Sequence, residues 1–165
     1  MGAAAVAGFL AVACLWWLYF DRIDDGAVRS VLRGLVWNYA HLPLLAGLVS
    51  VALGTEYAVR EAATGQLERT TAMALGAGTA LYLLAVLVTG RALRPGADPR
   101  RWYWLGAAAA TLAIGLLWPL GLPFGLLVTL DLVLVGLVAI ESAARLQVEP
   151  EPAPGSEAAT RARLP

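Results

Sequence analysis

Two ionisable side chains in this 165-residue chain lie deep in apolar surroundings, His41 and Asp131, and they are the residues best placed to do chemistry. A charge at the centre of a bilayer costs several kcal/mol. Asp131, roughly ten residues from either end of its apolar run, must therefore be protonated, paired or turned towards a polar cavity. His41 lies ~10 Å inside another run and Asp131 ~15 Å deep from the same side, a difference of about one helical turn that side chains on adjacent helices can bridge. Asn38 and Tyr39 precede His41, and Pro43 follows it. Pro43 brings no N–H and disturbs the Tyr39 carbonyl four residues back, which leaves backbone acceptors beside Asn38 and His41. Local polarity of that kind accompanies ion and substrate paths through membranes. His41, Asn38 and Asp131 thus form a candidate intramembrane polar site for protons or a small solute. The alternative, that these groups only glue a kinked helix to its neighbours, stays open.

Other chemistries find little support. There is no glycine-rich phosphate loop, no His-Glu-x-x-His pattern and no serine nucleophile elbow. One histidine and one cysteine, Cys14, cannot build a zinc site or an internal disulfide. No enzyme, metal or cofactor is expected. The net charge is zero, and the twelve basic residues are all arginine, so no basic excess points to nucleic acid. Asp21, Asp24 and Asp25 follow the first apolar run, and Glu56 and Glu141 end two others; all read as solvated interfacial groups. Arg22 reads as pairing with Asp21 or Asp25 at little net value.

The elements that would carry these residues are apolar blocks. Hydrophobic residues make up 59% of the chain and charged ones 15%, against about 25% charged in a soluble domain. The polar residues are clumped between long runs rather than spread along helix faces. A spanning helix needs about 20 apolar residues, and five stretches qualify: 2–20, 34–54, 70–90, 102–118 and 122–140. Helix is the only state that satisfies the backbone in lipid. The fold expected is an all-α polytopic transmembrane bundle over residues 1–146, with a disordered cytoplasmic tail at 147–165. That tail is rich in Pro and Glu and has no apolar periodicity. The uncharged break Trp118 to Pro123 reads as a hairpin turn between two spans. The first block has no basic leader and ends in Trp16-Trp17-Leu18-Tyr19-Phe20, so it reads as a span and not as a cleaved signal peptide.

Five spans divide the connections between two sides. Arg22, Arg29, Arg33, Arg91, Arg94, Arg100, Arg101, Arg145, Arg161 and Arg163 fall on one side; only Arg60 and Arg69 fall on the other, within a loop from Thr55 to Arg69. By the positive-inside rule the amino terminus faces out and the carboxyl terminus is cytoplasmic. Trp16, Trp17, Tyr19, Phe20, Trp37, Trp102, Tyr103 and Trp104 cluster at the basic ends, where amphipathic rings favour the headgroup layer. Small residues recur at helical spacing: Ala46, Ser50 and Gly54; Ala72, Gly76 and Ala80; Ala107, Thr111 and Gly115. Such stripes allow close helix approach, although an alanine-rich chain also produces them by composition alone.

The run Leu15-Trp16-Trp17-Leu18-Tyr19-Phe20-Asp21, then Tyr39-Ala40-His41-Leu42-Pro43, then Ala52-Leu53-Gly54-Thr55-Glu56, resembles the bacterial low-temperature-requirement A protein family in order and spacing. The resemblance covers nearly the whole membrane part, but only the carboxyl-terminal half of a typical member. The central Glu-Arg-Phe and Leu-Gly-Glu segment of the family has no counterpart here. The resemblance implies a multi-pass bacterial plasma-membrane protein linked to growth in the cold. It singles out Trp16, Trp17, Asp21, His41, Pro43 and Glu56, and leaves a molecular activity undefined. Two functions are carried forward. One is a transporter or channel component for protons or a small solute. The other is a non-transporting scaffold, or a truncated half of a larger protein that assembles with itself or with a complementary membrane subunit. The lipid bilayer is the surrounding partner in both.

Overall fold

The computed structural model describes residues 2–23, 30–93, 99–118 and 122–146. Five helices follow in order: α1 (Gly2–Arg22), α2 (Val31–Thr64), α3 (Arg69–Leu93), α4 (Arg101–Leu117) and α5 (Pro123–Leu146). The all-α bundle expected from the sequence is the fold observed, and there is no strand among the described residues. Four of the helices are long and apolar enough to cross a membrane. The remaining one, α4, has 17 residues, at the lower limit for a span. The residues of the expected tail lie outside those described.

The second helix departs most from expectation. It runs for 34 residues, ten beyond Gly54, so that most of the expected loop from Thr55 is helical. At about 50 Å it exceeds a ~30 Å hydrocarbon core. Ser30 starts it by accepting from the Arg33 backbone N–H at 3.4 Å. Gly65 stops it in the left-handed conformation, φ 72°, with its N–H on the Glu61 carbonyl, as helix ends on glycine do. Glu61 then turns to the next helix: its carboxylate accepts from the Glu68 N–H at 3.1 Å and from the Thr71 hydroxyl at 2.7 Å. The first of these bonds satisfies a donor that the start of α3 leaves open.

Burial follows a repeat of alternating three- and four-residue steps. On α2 the buried positions are Ala40, Leu44, Gly47, Val51, Gly54 and Ala58; on α4 they include Trp104, Ala108, Thr111 and Gly115; on α5 they include Leu127, Leu130, Leu134, Leu137 and Glu141. That spacing keeps one seam facing a neighbour in left-handed helix packing. The central helix is α3, which buries residues on several faces, among them Leu75, Gly76, Tyr82, Leu83 and Val86. Gly76 meets Gly115 so closely that an added Cβ would lie 2.6 Å from the Gly115 Cα and from the Thr111 carbonyl. Gly47 approaches α3 in the same way, at 2.7 Å from the Gly78 carbonyl. The small-residue stripes on α3 and α4 are therefore the contact surface between them. On α2 the contact falls on Gly47, Ser50 and Gly54, and Ala46 faces outward.

Outside this seam the surface is oily. Phe9 is 74% exposed and Leu132 68%, and Val6, Trp16, Leu42, Leu45, Val49 and Trp102 are also exposed. A polar skin is missing along the middle of the helices, as expected of a molecule whose solvent at that level is lipid. Three buried hydroxyls are satisfied within their own helices: Thr79 donates to the Leu75 carbonyl, Thr89 to that of Ala85 and Thr111 to that of Ala108.

Candidate functional site

Asp131 faces inwards from α5 and is 6% exposed. Its Oδ1 is buried with no hydrogen-bond partner among the described residues. Cys14 of α1 is buried as well. Asp131 adjoins the seam that carries Leu130 and Leu134, so its helix presents it to the bundle and not to lipid.

His41 has a different environment. Its Nδ1–H donates to the Trp37 carbonyl at 2.7 Å, one turn earlier in α2. A carbonyl can only accept, so that bond places a proton on Nδ1, and in the neutral ring Nε2 accepts from the Tyr19 hydroxyl at 3.0 Å. The Trp37 ring stands edge-on to the imidazole, with centroids 4.5 Å apart. Both ring nitrogens are therefore satisfied, one of them by α1. Pro43 sits inside α2 without ending it. Asn38 is exposed on the outer face. Among the described residues no hydrogen bond or ion pair joins His41 to Asp131. Tyr82 of α3 ties the same part of α1 from another side, donating to the Leu15 carbonyl at 2.9 Å.

The positions suggested by resemblance divide into three settings. Trp16 and Trp17 are exposed near the end of α1. Asp21 pairs with Arg145 of α5, Oδ1 to Nη2, at 2.8 Å, and its backbone carbonyl accepts from the same guanidinium. Glu56 pairs with Arg60 one turn on, on the exposed far end of α2.

The most highly connected polar group is one whose sequence position suggested solvent. Glu141 is 3% exposed. Its carboxylate accepts from Trp104 Nε1 at 2.7 Å, from Arg100 Nη1 at 2.9 Å and from Arg22 Nη1 at 3.4 Å. The Arg22 guanidinium also lies over the Trp104 ring at 4.7 Å, and its stem packs on Gly90 of α3. Arg22 therefore reaches across the bundle to Glu141, not to Asp21 as its sequence neighbourhood suggested; Asp25 lies outside the described residues. One carboxylate on α5 gathers the end of α1 and the start of α4, and Arg22 extends the group to the end of α3. A signal for this existed in the sequence: Glu141 falls on the stripe 127, 130, 134, 137, 141, which places it on the buried seam.

Among the described residues no group of three His, Cys, Asp or Glu side chains gathers to hold a metal ion. The polar features are instead an unpartnered buried carboxyl oxygen, a satisfied histidine and a charge cluster at one end of an apolar bundle. Together with the oily outer surface they define a polytopic α-helical membrane protein. The chain belongs to the bacterial low temperature requirement A protein family, LtrA, whose family model matches residues 1–139. That match spans the candidate positions from Trp16 to Asp131. No curated protein and no solved structure matches the chain.

Proposed function

We propose that this protein is a non-enzymatic component of a bacterial plasma-membrane transport system that passes protons or a small cation by way of Asp131. The observation carrying this reading is the buried Oδ1 of Asp131, which has no hydrogen-bond partner among the described residues. Leaving a carboxyl oxygen unpartnered at this depth costs several kcal/mol that a wholly apolar helix would avoid. Groups of this kind mark proton and ion pathways in membrane proteins. The arginine asymmetry supports an amino terminus outside and a carboxyl terminus in the cytoplasm, with the Glu141 cluster at the cytoplasmic end.

The test is an acid-pulse flux measurement on purified protein in liposomes carrying a trapped pH dye. Wild type should acidify the lumen faster than protein-free liposomes, and Asp131→Asn should lower that rate at least tenfold while eluting as folded protein. A wild-type rate equal to that of empty liposomes, or an Asp131→Asn rate equal to wild type, overturns the proposal.

A second reading, a non-transporting scaffold that acts alone, with a second copy or with a complementary membrane subunit, draws on the saturated bonding of His41 and Glu141. Under it, His41→Ala and Asp131→Asn change thermal stability in detergent and leave flux at background.

A further inference from the structure

At the arginine-rich end of the bundle a cleft of about 340 Å³ opens between the start of α2 and the end of α3. Its walls are Leu32, Arg33 and Val36 from α2 and Val88, Arg91 and Ala92 from α3. On α2, Leu32 and Val36 are one turn apart, and on α3 so are Ala92 and Val88, so the apolar walls descend together by ~6 Å from the helix ends towards the hydrocarbon level. Leu32, Val36 and Val88 are exposed. The two arginines stand at the mouth of the cleft, Arg33 two residues into α2 and Arg91 two residues before the end of α3.

Two arginines share this mouth, one from each helix. Arg22 and Arg100 are held by Glu141, and Arg145 by Asp21. Arg33 and Arg91 have no ion-pair partner among the described residues. Two guanidiniums without a counter-charge among the described residues, above an apolar groove at the headgroup level, are complementary to one chemical class: a diester phosphate with an acyl chain below it. Basic pockets between transmembrane helices bind anionic headgroups on these grounds, and guanidinium forks match phosphate oxygens.

We infer that this cleft is a binding site for an anionic phospholipid, with the phosphate on Arg33 and Arg91 and an acyl chain along Leu32, Val36 and Val88. The site joins α2 to α3 at the end where α2 lacks the contacts with Glu141 that hold the other helices together. It is independent of the proposal for Asp131.

The test uses the full chain in detergent, titrated separately with phosphatidylglycerol, phosphatidylcholine and inorganic phosphate. Thermal unfolding and native mass measurement are the readouts. Phosphatidylglycerol should raise Tm and survive as a one-to-one adduct with an affinity on the order of tenfold above phosphatidylcholine, while inorganic phosphate leaves Tm unchanged. The double variant Arg33→Gln with Arg91→Gln should bind both lipids alike, and Arg60→Gln, at the other end of α2, should keep the preference. Equal binding of the two lipids by wild type, an undiminished preference in the double variant, or a Tm rise with inorganic phosphate alone would each overturn the inference.

Discussion

Glu141 shows how much one buried carboxylate can organise. Removing its charge leaves Arg22 and Arg100 beside the Trp104 indole with less to neutralise them, and breaking a buried ion pair from one side costs a few kcal/mol. Arg100 is partly solvated, which reduces that cost. Glu141→Ala should therefore lower stability by about 3 kcal/mol, read as a drop in Tm in detergent, and Glu141→Gln, which keeps an acceptor for Trp104, by less. Equal stability of wild type and Glu141→Ala would refute the role of this group as the tie between α1, α4 and α5. His41 presents the opposite case. Its spacing to Pro43 and its depth were readable from sequence, but the hydroxyl that occupies Nε2 belongs to Tyr19, 22 residues away, and no local pattern announces it.

At the scale of helices, two glycines set how closely α3 and α4 approach. A methyl group on Gly76 would meet backbone atoms of α4 at 2.6 Å, and backbone cannot rotate out of the way as a side chain can. Overpacking of this type costs about 1–3 kcal/mol or more. Gly76→Ala should lower Tm well beyond the effect of Gly136→Ala, where an added Cβ meets nothing within 4 Å. Matching Tm values for the two variants would show that α3 and α4 do not depend on this approach. The length of α2 is an element-scale lesson of another kind. Its apolar run stops near Gly54, yet helix persists to Thr64, because Glu56 pairs with Arg60 one turn on and Gly65 supplies the stop. Hydropathy marks where a helix leaves lipid, whereas capping marks where it ends.

For the whole molecule, the paired ends Arg22–Glu141, Arg100–Glu141 and Arg145–Asp21 bring α1, α4 and α5 together at one end of the bundle. The cleft brings α2 and α3 together at their own arginine-bearing ends. An orientation with that end in the cytoplasm makes a direct prediction for surface labelling. In a Cys14→Ser background, Glu68→Cys should react with a membrane-impermeant thiol reagent on intact cells, and Pro99→Cys should react only in inverted vesicles. Both positions are exposed, so the reverse pattern would invert the topology.

The sequence by itself determined the class of the molecule and the number of its helices, because lipid forces each apolar run of about 20 residues into one state. It also carried the family, through Trp16, Trp17, His41, Pro43 and Glu56. Tertiary structure alone decided which polar groups meet. Asp131 and His41 lie at similar depth, but depth along an axis does not fix the angle about it: Tyr19 and Trp37 bind His41, whereas no described residue bonds the Asp131 Oδ1. Glu141 and Arg22 each read as surface charges in isolation. They become a buried pair because four helix ends converge on them, and convergence is a property of the packed bundle that no single helix contains.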